Sequence, residues 1–311
     1  MTELVKLGRT GLSVYPIGLG ANKIAEADPE TNTEYGGDVL LGAIEKGLNF
    51  VDTAFLYGQG TSETIIGKTL KEHSLRDKVV IATKGAHQLT DKGIVLNNSP
   101  GFLQEQVENS LRRLQTDYID LYYIHFPDEK TPKAEAVGAL QRLKEQGKIR
   151  AIGVSNFSLE QLKEGNADGY IDVVQDEFNL LNQSAENKFF PYFREQGISF
   201  IPYFPFASGL LAGHYNENST LTEKQSARPQ FQGDTYKDIL KRVDQIRPLA
   251  EKHQTGLQNI VLAYYLSKDV IDAVIPGARN RKQVLENLEA GKIRLEEEDI
   301  QLINKAFPSS F

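Results

Sequence analysis

The chain contains no cysteine. That absence removes disulfides, thiolate metal sites and cysteine nucleophiles together. It has no excess of positive charge either. Its 35 Lys and Arg face 42 Asp and Glu, for a formal net charge of −7, and a surface of that sign argues against a nucleic-acid partner. No apolar run approaches a membrane span, and the opening MTELVKLGRTG lacks the long apolar segment of a signal peptide. The expected setting is cytoplasmic, without membrane contact. Pro/Ser-rich linkers and low-complexity tracts are also missing, so residues 1–311 read as a single domain.

What is present is a rhythm. Short runs rich in Val, Ile, Phe and Tyr recur: YPIGLGA, NFVDTA, VVIATK, IDLYYIHF, IRAIGVS, VVQDEFN, SFIPYFPF and DAVIPGA. Segments of helical period lie between them. DVLLGAIEKG puts Val39, Leu40, Ala43 and Ile44 on one face and stops at Gly47. SPGFLQEQVENSLRRL opens with Ser99 before Pro100 and carries Leu103, Val107, Leu111 and Leu114. Strand then helix, repeated eight times, predicts parallel strands joined by helical crossovers. No G-x-G-x-x-G follows an early strand, which disfavours an open dinucleotide-binding sheet. The expectation is an α/β fold, a (β/α)8 TIM barrel, with an N-terminal β-hairpin at LGRTGLSVYPIG and two extra helices. A long polar loop is expected from about Ser208 to Thr235.

The polar residues fall at telling places. Asp52 ends the second run, Lys84 the third, and His125 stands near the end of the fourth. Ser155 and Asn156 close the fifth, Gln175 lies in the sixth and Tyr203 in the seventh. In a barrel, the C-terminal strand ends and their loops form the active site. Each residue has a plainer explanation on its own: Asp52 a loop cap, Lys84 a snorkelling side chain, His125 a core histidine, Tyr57 a surface aromatic. Together they form a coherent set. A phenol of reference pKa near 10 is a sluggish acid. A nearby ammonium lowers that pKa, and a buried ammonium needs a carboxylate to hold it. A neutral histidine can orient a carbonyl oxygen beside the phenol. The set is a proton donor aimed at a carbonyl, without an electron source.

NFVDTAFLYGQGTSETIIGKTL, VVIATK, DYIDLYYIHFPD, KIRAIGVSNFS and IPGARNRKQVLENL, in that order, resemble the aldo-keto reductase superfamily along essentially the whole chain. The resemblance implies hydride transfer between NAD(P)H and a carbonyl, without metal or flavin. It implies that Tyr57 is the general acid, assisted by Lys84 and Asp52, with His125 orienting substrate. Ser155, Asn156 and Gln175 match positions that hold the nicotinamide, and Tyr203 the aromatic on which it stacks. Pro205, Phe206, Gly209 and Leu210 match the pyrophosphate wrap. Gly277, Arg279, Gln283, Glu286 and Asn287 match the adenosine end. Arg279 and Arg281 suit a 2′-phosphate, which favours NADP(H) with NAD(H) as the alternative. Asn22, Phe55, His125 and Phe126 border the expected substrate pocket. The implied partner is a small carbonyl or alcohol, and the implied assembly a monomer or weak homo-oligomer. A redox-sensing NADP(H)-binding subunit is the competing function; the histidine favours turnover.

Overall fold

The structure, a computed structural model, describes residues 3–26 and 33–309. The expected hairpin opens the chain. β1 (Val5–Lys6) and β2 (Ser13–Val14) pair antiparallel, with Val5 opposite Val14. Gly8 and Gly11 take φ of 50° and 77° in the turn, which a side chain would resist. Leu7 and Val14 are buried with residues of the barrel interior, so the hairpin closes one end of the barrel.

Seven parallel strands then form one curled sheet. They are β3 (Leu19–Gly20), β4 (Phe50–Asp52), β5 (Val80–Gly85), β8 (Ile119–Ile124), β9 (Ile149–Ser155), β10 (Val173–Glu177) and β11 (Ser199–Tyr203), adjacent in that order. Between β5 and β8 a second hairpin stands outside the barrel, β6 (His87–Thr90) paired with β7 (Gly93–Leu96). The sequence reading did not anticipate it. The eighth run closes the ring without becoming a regular strand. On one side Phe200 N donates to Val270 O, two residues before the run, at 2.7 Å. On the other, Gly18 N donates to Val274 O (2.8 Å) and Gly20 N to Pro276 O (3.1 Å). Pro276 has no N–H to give, so the ladder is reduced to isolated bridges, Ile17 with Val274 and Gly20 with Gly277.

The helices cover the outside: α1 (Thr33–Glu45), α2 (Thr61–Glu72), α3 (Pro100–Leu114), α4 (Lys133–Glu145), α5 (Leu159–Gly165), and the short α6 (Ala185–Lys188) and α7 (Phe190–Gln196). After β11 come α8 (Glu223–Ser226), α9 (Gly233–Lys252) and α10 (Leu257–Leu266), and after the eighth run α11 (Arg281–Leu288) and α12 (Glu297–Ala306). The predicted signals sit where expected. Gly47 has φ 95° just past α1, and Ser99 occupies the N-cap position of α3, its side chain making no cap bond, with Pro100 in the first turn. The polar loop is more structured than its composition suggests, because Thr222 and Gln225 form a reciprocal cap that starts α8. The two extra helices are α9 and α12, joined by Lys252 Nζ to Asp299 Oδ1 at 2.7 Å. No helix among the described residues is long and apolar enough to cross a membrane.

Alternation along the strands divides the core in two. Phe50, Ala82, Leu121, Tyr123, Ala151, Val173, Ile201, Ala273 and Ile275 pack inside the barrel. Val51, Ile81, Tyr122, Ile152 and Val174, one residue away, pack outward with the helices. One step of two farther along the inward face lies a polar residue: Asp52 after Phe50, Lys84 after Ala82, His125 after Tyr123, Gln175 after Val173, Tyr203 after Ile201.

Candidate active site

Those inward residues meet at the C-terminal mouth. Asp52 ends β4 at 1% exposure and Lys84 lies in β5 at 0%. Lys84 Nζ contacts Asp52 Oδ1 and donates to the Thr53 carbonyl at 2.9 Å. Gln175 Nε2 donates to the other carboxylate oxygen, Asp52 Oδ2, at 2.9 Å. Desolvating two opposite charges is tolerable because each is bonded on more than one side. Beyond β4 the chain turns through Phe55 and Tyr57, held by Phe55 N to Lys84 O (3.1 Å) and Gly60 N to Phe55 O (2.7 Å). This turn brings the half-buried Tyr57 ring within 5.4 Å of Lys84 Nζ, centroid to nitrogen.

His125 follows β8 directly, its backbone N bonded to Gly85 O at 2.8 Å. Its ring stands edge-on to that of Tyr57, with centroids 6.3 Å apart. Burial, with Lys84 and His87 nearby, holds the imidazole well below its ordinary pKa, so the ring is neutral at physiological pH. For Tyr57 the balance differs from the simple expectation. Lys84 pulls the phenol down, but burial pushes harder and the pKa lies above its usual value.

A second network adjoins the first. Asn156, at φ 61°, donates from Nδ2 to His125 O (3.0 Å) and Ser155 Oγ (2.9 Å). It accepts from the Tyr203 hydroxyl on Oδ1 at 2.9 Å. The chain after β11 then runs through left-handed backbone at Phe204, Ala207, Ser208 and Gly209, with φ of 60°, 46°, 65° and 89°. Pro205, Phe206 and Leu210 belong to the same turn, which Leu211 N to Phe206 O (3.1 Å) and Tyr265 Oη to Pro205 O (2.8 Å) hold in shape. Tight turns of this kind can gather backbone N–H groups into a concavity suited to anions.

The remaining expected residues lie on the adjoining edge. Gly277 approaches Asn22, whose Oδ1 stands 3.1 Å from where a Cβ on that glycine would be. Asn280 caps α11 by accepting from Gln283 N (2.9 Å), while Gln283 Oε1 accepts from Arg279 N (2.9 Å). Asn287 is buried on α11, and Glu286 is exposed beside Lys282. The two arginines part company. Arg281 is engaged with Glu45 and Asp38 of α1, at 2.5 and 3.6 Å. The Arg279 side chain is exposed and has no partner among the described residues. Sequence reading missed His87, which the second hairpin inserts beside the site. It is buried, its ring centroid lies 5.0 Å from that of His125 and 5.6 Å from that of Phe126, and its only signal was a histidine three residues after Lys84.

A closed parallel barrel with a lysine–carboxylate pair, a phenol and a neutral imidazole at its C-terminal mouth defines a class of barrel enzyme. The signature of the Aldo/keto reductase family matches residues 16–307, and the chain belongs to that family. It is thus an oxidoreductase of carbonyl compounds. It is 32% identical over 98% of its length to the NADH-specific methylglyoxal reductase of Escherichia coli, covering 96% of that protein. The solved glycerol dehydrogenase AKR11B4 from Gluconobacter oxydans superposes with a TM-score of 0.90 at 28% identity, over 100% of this chain and 98% of that one. An aldo/keto reductase from Klebsiella pneumoniae, solved with NADP and acetate, superposes with a TM-score of 0.75 at 26% identity, over 100% and 97%.

Proposed function

We propose that the mouth reduces aldehydes or ketones to alcohols, or runs the reverse, with NADP(H) preferred and NAD(H) the alternative. The observation that carries this reading is the buried Lys84–Asp52 pair beside Tyr57 and His125. The residues fit a dinucleotide. The turn with left-handed residues at Phe204, Ala207, Ser208 and Gly209 supplies an anion cradle, and Arg279 offers a 2′-phosphate a guanidinium that has no partner among the described residues. The Klebsiella pneumoniae structure holds NADP, whereas the Escherichia coli relative is NADH-specific, so the preference rests on Arg279.

When bound, the nicotinamide supplies the hydride. The chain does the rest. Tyr57 stays protonated across physiological pH because burial raises its pKa, and its hydroxyl delivers the proton to the carbonyl oxygen. Lys84 stabilises the phenolate left behind, and Asp52 fixes Lys84. The neutral His125 ring orients the carbonyl, with Asn22, Phe55 and Phe126 bordering the substrate. Ser155, Asn156 and Gln175 would hold the carboxamide of the nicotinamide, and Tyr203 would offer the ring face for it to stack on. Two relatives are named for methylglyoxal and glycerol, so both compounds belong in the first substrate panel.

The test is NADPH oxidation with a panel of aldehydes, repeated with Tyr57→Phe. The variant should bind NADPH normally and lose roughly a hundredfold to ten-thousandfold in kcat/KM. Near wild-type turnover would remove Tyr57 as the acid. NADPH binding with no turnover of any carbonyl by the wild type would favour the redox-sensing role instead.

A further inference from the structure

Large apolar side chains are exposed at only five places among the described residues: Leu4 and, on the β6–β7 hairpin, Leu89, Ile94, Val95 and Leu96. Four of them on one short ribbon is unusual for a surface that otherwise buries its large apolar groups. The register sorts them. His87 faces Leu96 and Leu89 faces Ile94 across the pair, while Gln88 faces Val95. Cross-strand partners share a face, and so do residues two apart. Leu89, Ile94 and Leu96 therefore lie on the face of His87, and Val95 lies on the other.

That shared face starts in the active site. The His87 ring is packed against His125 and Phe126, at 5.0 and 5.6 Å between centroids. Leu89 follows about 7 Å farther out along the strand. The ribbon is held firmly at its base. Asn98 N donates to Asp128 Oδ2 and Asp128 N to Asn98 Oδ1, both at 2.7 Å. Asn98 Nδ2 also reaches Phe126 O at 3.1 Å, and Asn97 Nδ2 bonds Gln88 Oε1 at 2.9 Å. These bonds tie the hairpin to the loop that carries His125 and Phe126.

We infer that Leu89, Ile94 and Leu96 form an apolar wall that binds the tail of the carbonyl substrate, selecting aldehydes with a pentyl, hexyl or comparable aryl tail over short ones. The inference rests on the proposed carbonyl reduction and names its substrate class. An apolar tail leaving a carbonyl at His125 meets His87 first and the leucine–isoleucine face next. Covering that face removes from water both the tail and the wall, and this is the source of the selectivity.

The test is a series from propanal to hexanal with NADPH, in the wild type and in two variants. In the wild type, kcat/KM should rise by about threefold for each added methylene. In Leu89→Ser/Ile94→Ser/Leu96→Ser the ratio of hexanal to propanal kcat/KM should collapse towards one, and in Val95→Ser it should stay as in the wild type. The ratio does not depend on the fraction of folded enzyme; if the triple variant precipitates, Leu89→Ser alone should lower it. A wild type that reduces no aldehyde sinks the carbonyl-reductase reading itself. A wild type that reduces all of them equally well, or a triple variant that keeps the slope, overturns the wall and leaves the reductase standing. A triple variant that keeps the slope but sediments as a smaller species assigns the face to a second copy of the chain, which also overturns it.

Discussion

At Asp52 both carboxylate oxygens are taken, Oδ1 by Lys84 and Oδ2 by Gln175. This arrangement is why a charge can sit at 1% exposure in an apolar strand. Asp52→Asn would leave the Lys84 ammonium buried without a counter-charge. It should cost about 3–5 kcal/mol of stability, read from denaturant unfolding. The arginines make a second contrast between single residues. Arg279→Ala should weaken NADPH binding about tenfold to a hundredfold, as expected for losing a charge-assisted hydrogen bond, and barely change NADH binding. Arg281→Ala should alter neither, since that guanidinium is engaged with α1. Titration of both cofactors by fluorescence checks the pair; equal weakening of NADPH and NADH by Arg279→Ala would remove it as the phosphate ligand.

Among the elements, neighbouring strands are fitted to each other by residue size. Tyr123 of β8 fills the barrel interior only because β9 offers Gly153 opposite, where a Cβ would come within 2.2 Å of the Tyr123 ring. Gly153→Ala should destabilise the fold by about 1–3 kcal/mol through overpacking, visible as a lowered melting temperature. An unchanged melt would mean that the Tyr123 ring has room to swing aside. The helices follow local signals that are legible without any structure, such as the Ser99–Pro100 start of α3 and the Gly47 stop of α1. The β6–β7 hairpin was not legible. Its strands are short and polar in part, and they pair only with each other, so no alternation against a core marks them.

For the molecule as a whole, the buried imidazoles link stability to pH. His87 and His125 both have lowered pKa values, with burial the chief cause in each. Their folded forms stay neutral while the unfolded chain binds protons as pH falls through about 6.5. The unfolded state then holds more protons, so stability is full above that pH and is lost below it, by up to about 1.4 kcal/mol per pH unit for each ring. Urea unfolding midpoints between neutral and mildly acidic pH check this, and His87→Asn/His125→Asn should flatten the dependence. If the double variant keeps the wild-type slope, other groups carry it.

The sequence by itself determined the chemistry at each strand end and the side of the strand that bears it. A period of two puts Asp52 on the face of Phe50 and Lys84 on the face of Ala82 wherever the strands end up. Caps and helical periods are likewise local, set by neighbours a few residues away. Tertiary structure alone decided which of these residues touch. Gln175 reaches Asp52 across 123 positions of sequence, and the Arg281 guanidinium crosses 236 to reach Glu45. Only ring closure brings such residues together, and local periodicity carries no record of it. The same closure turned the phenol of Tyr57 into a group whose burial outweighs its cation, a balance fixed by how much water the finished mouth excludes.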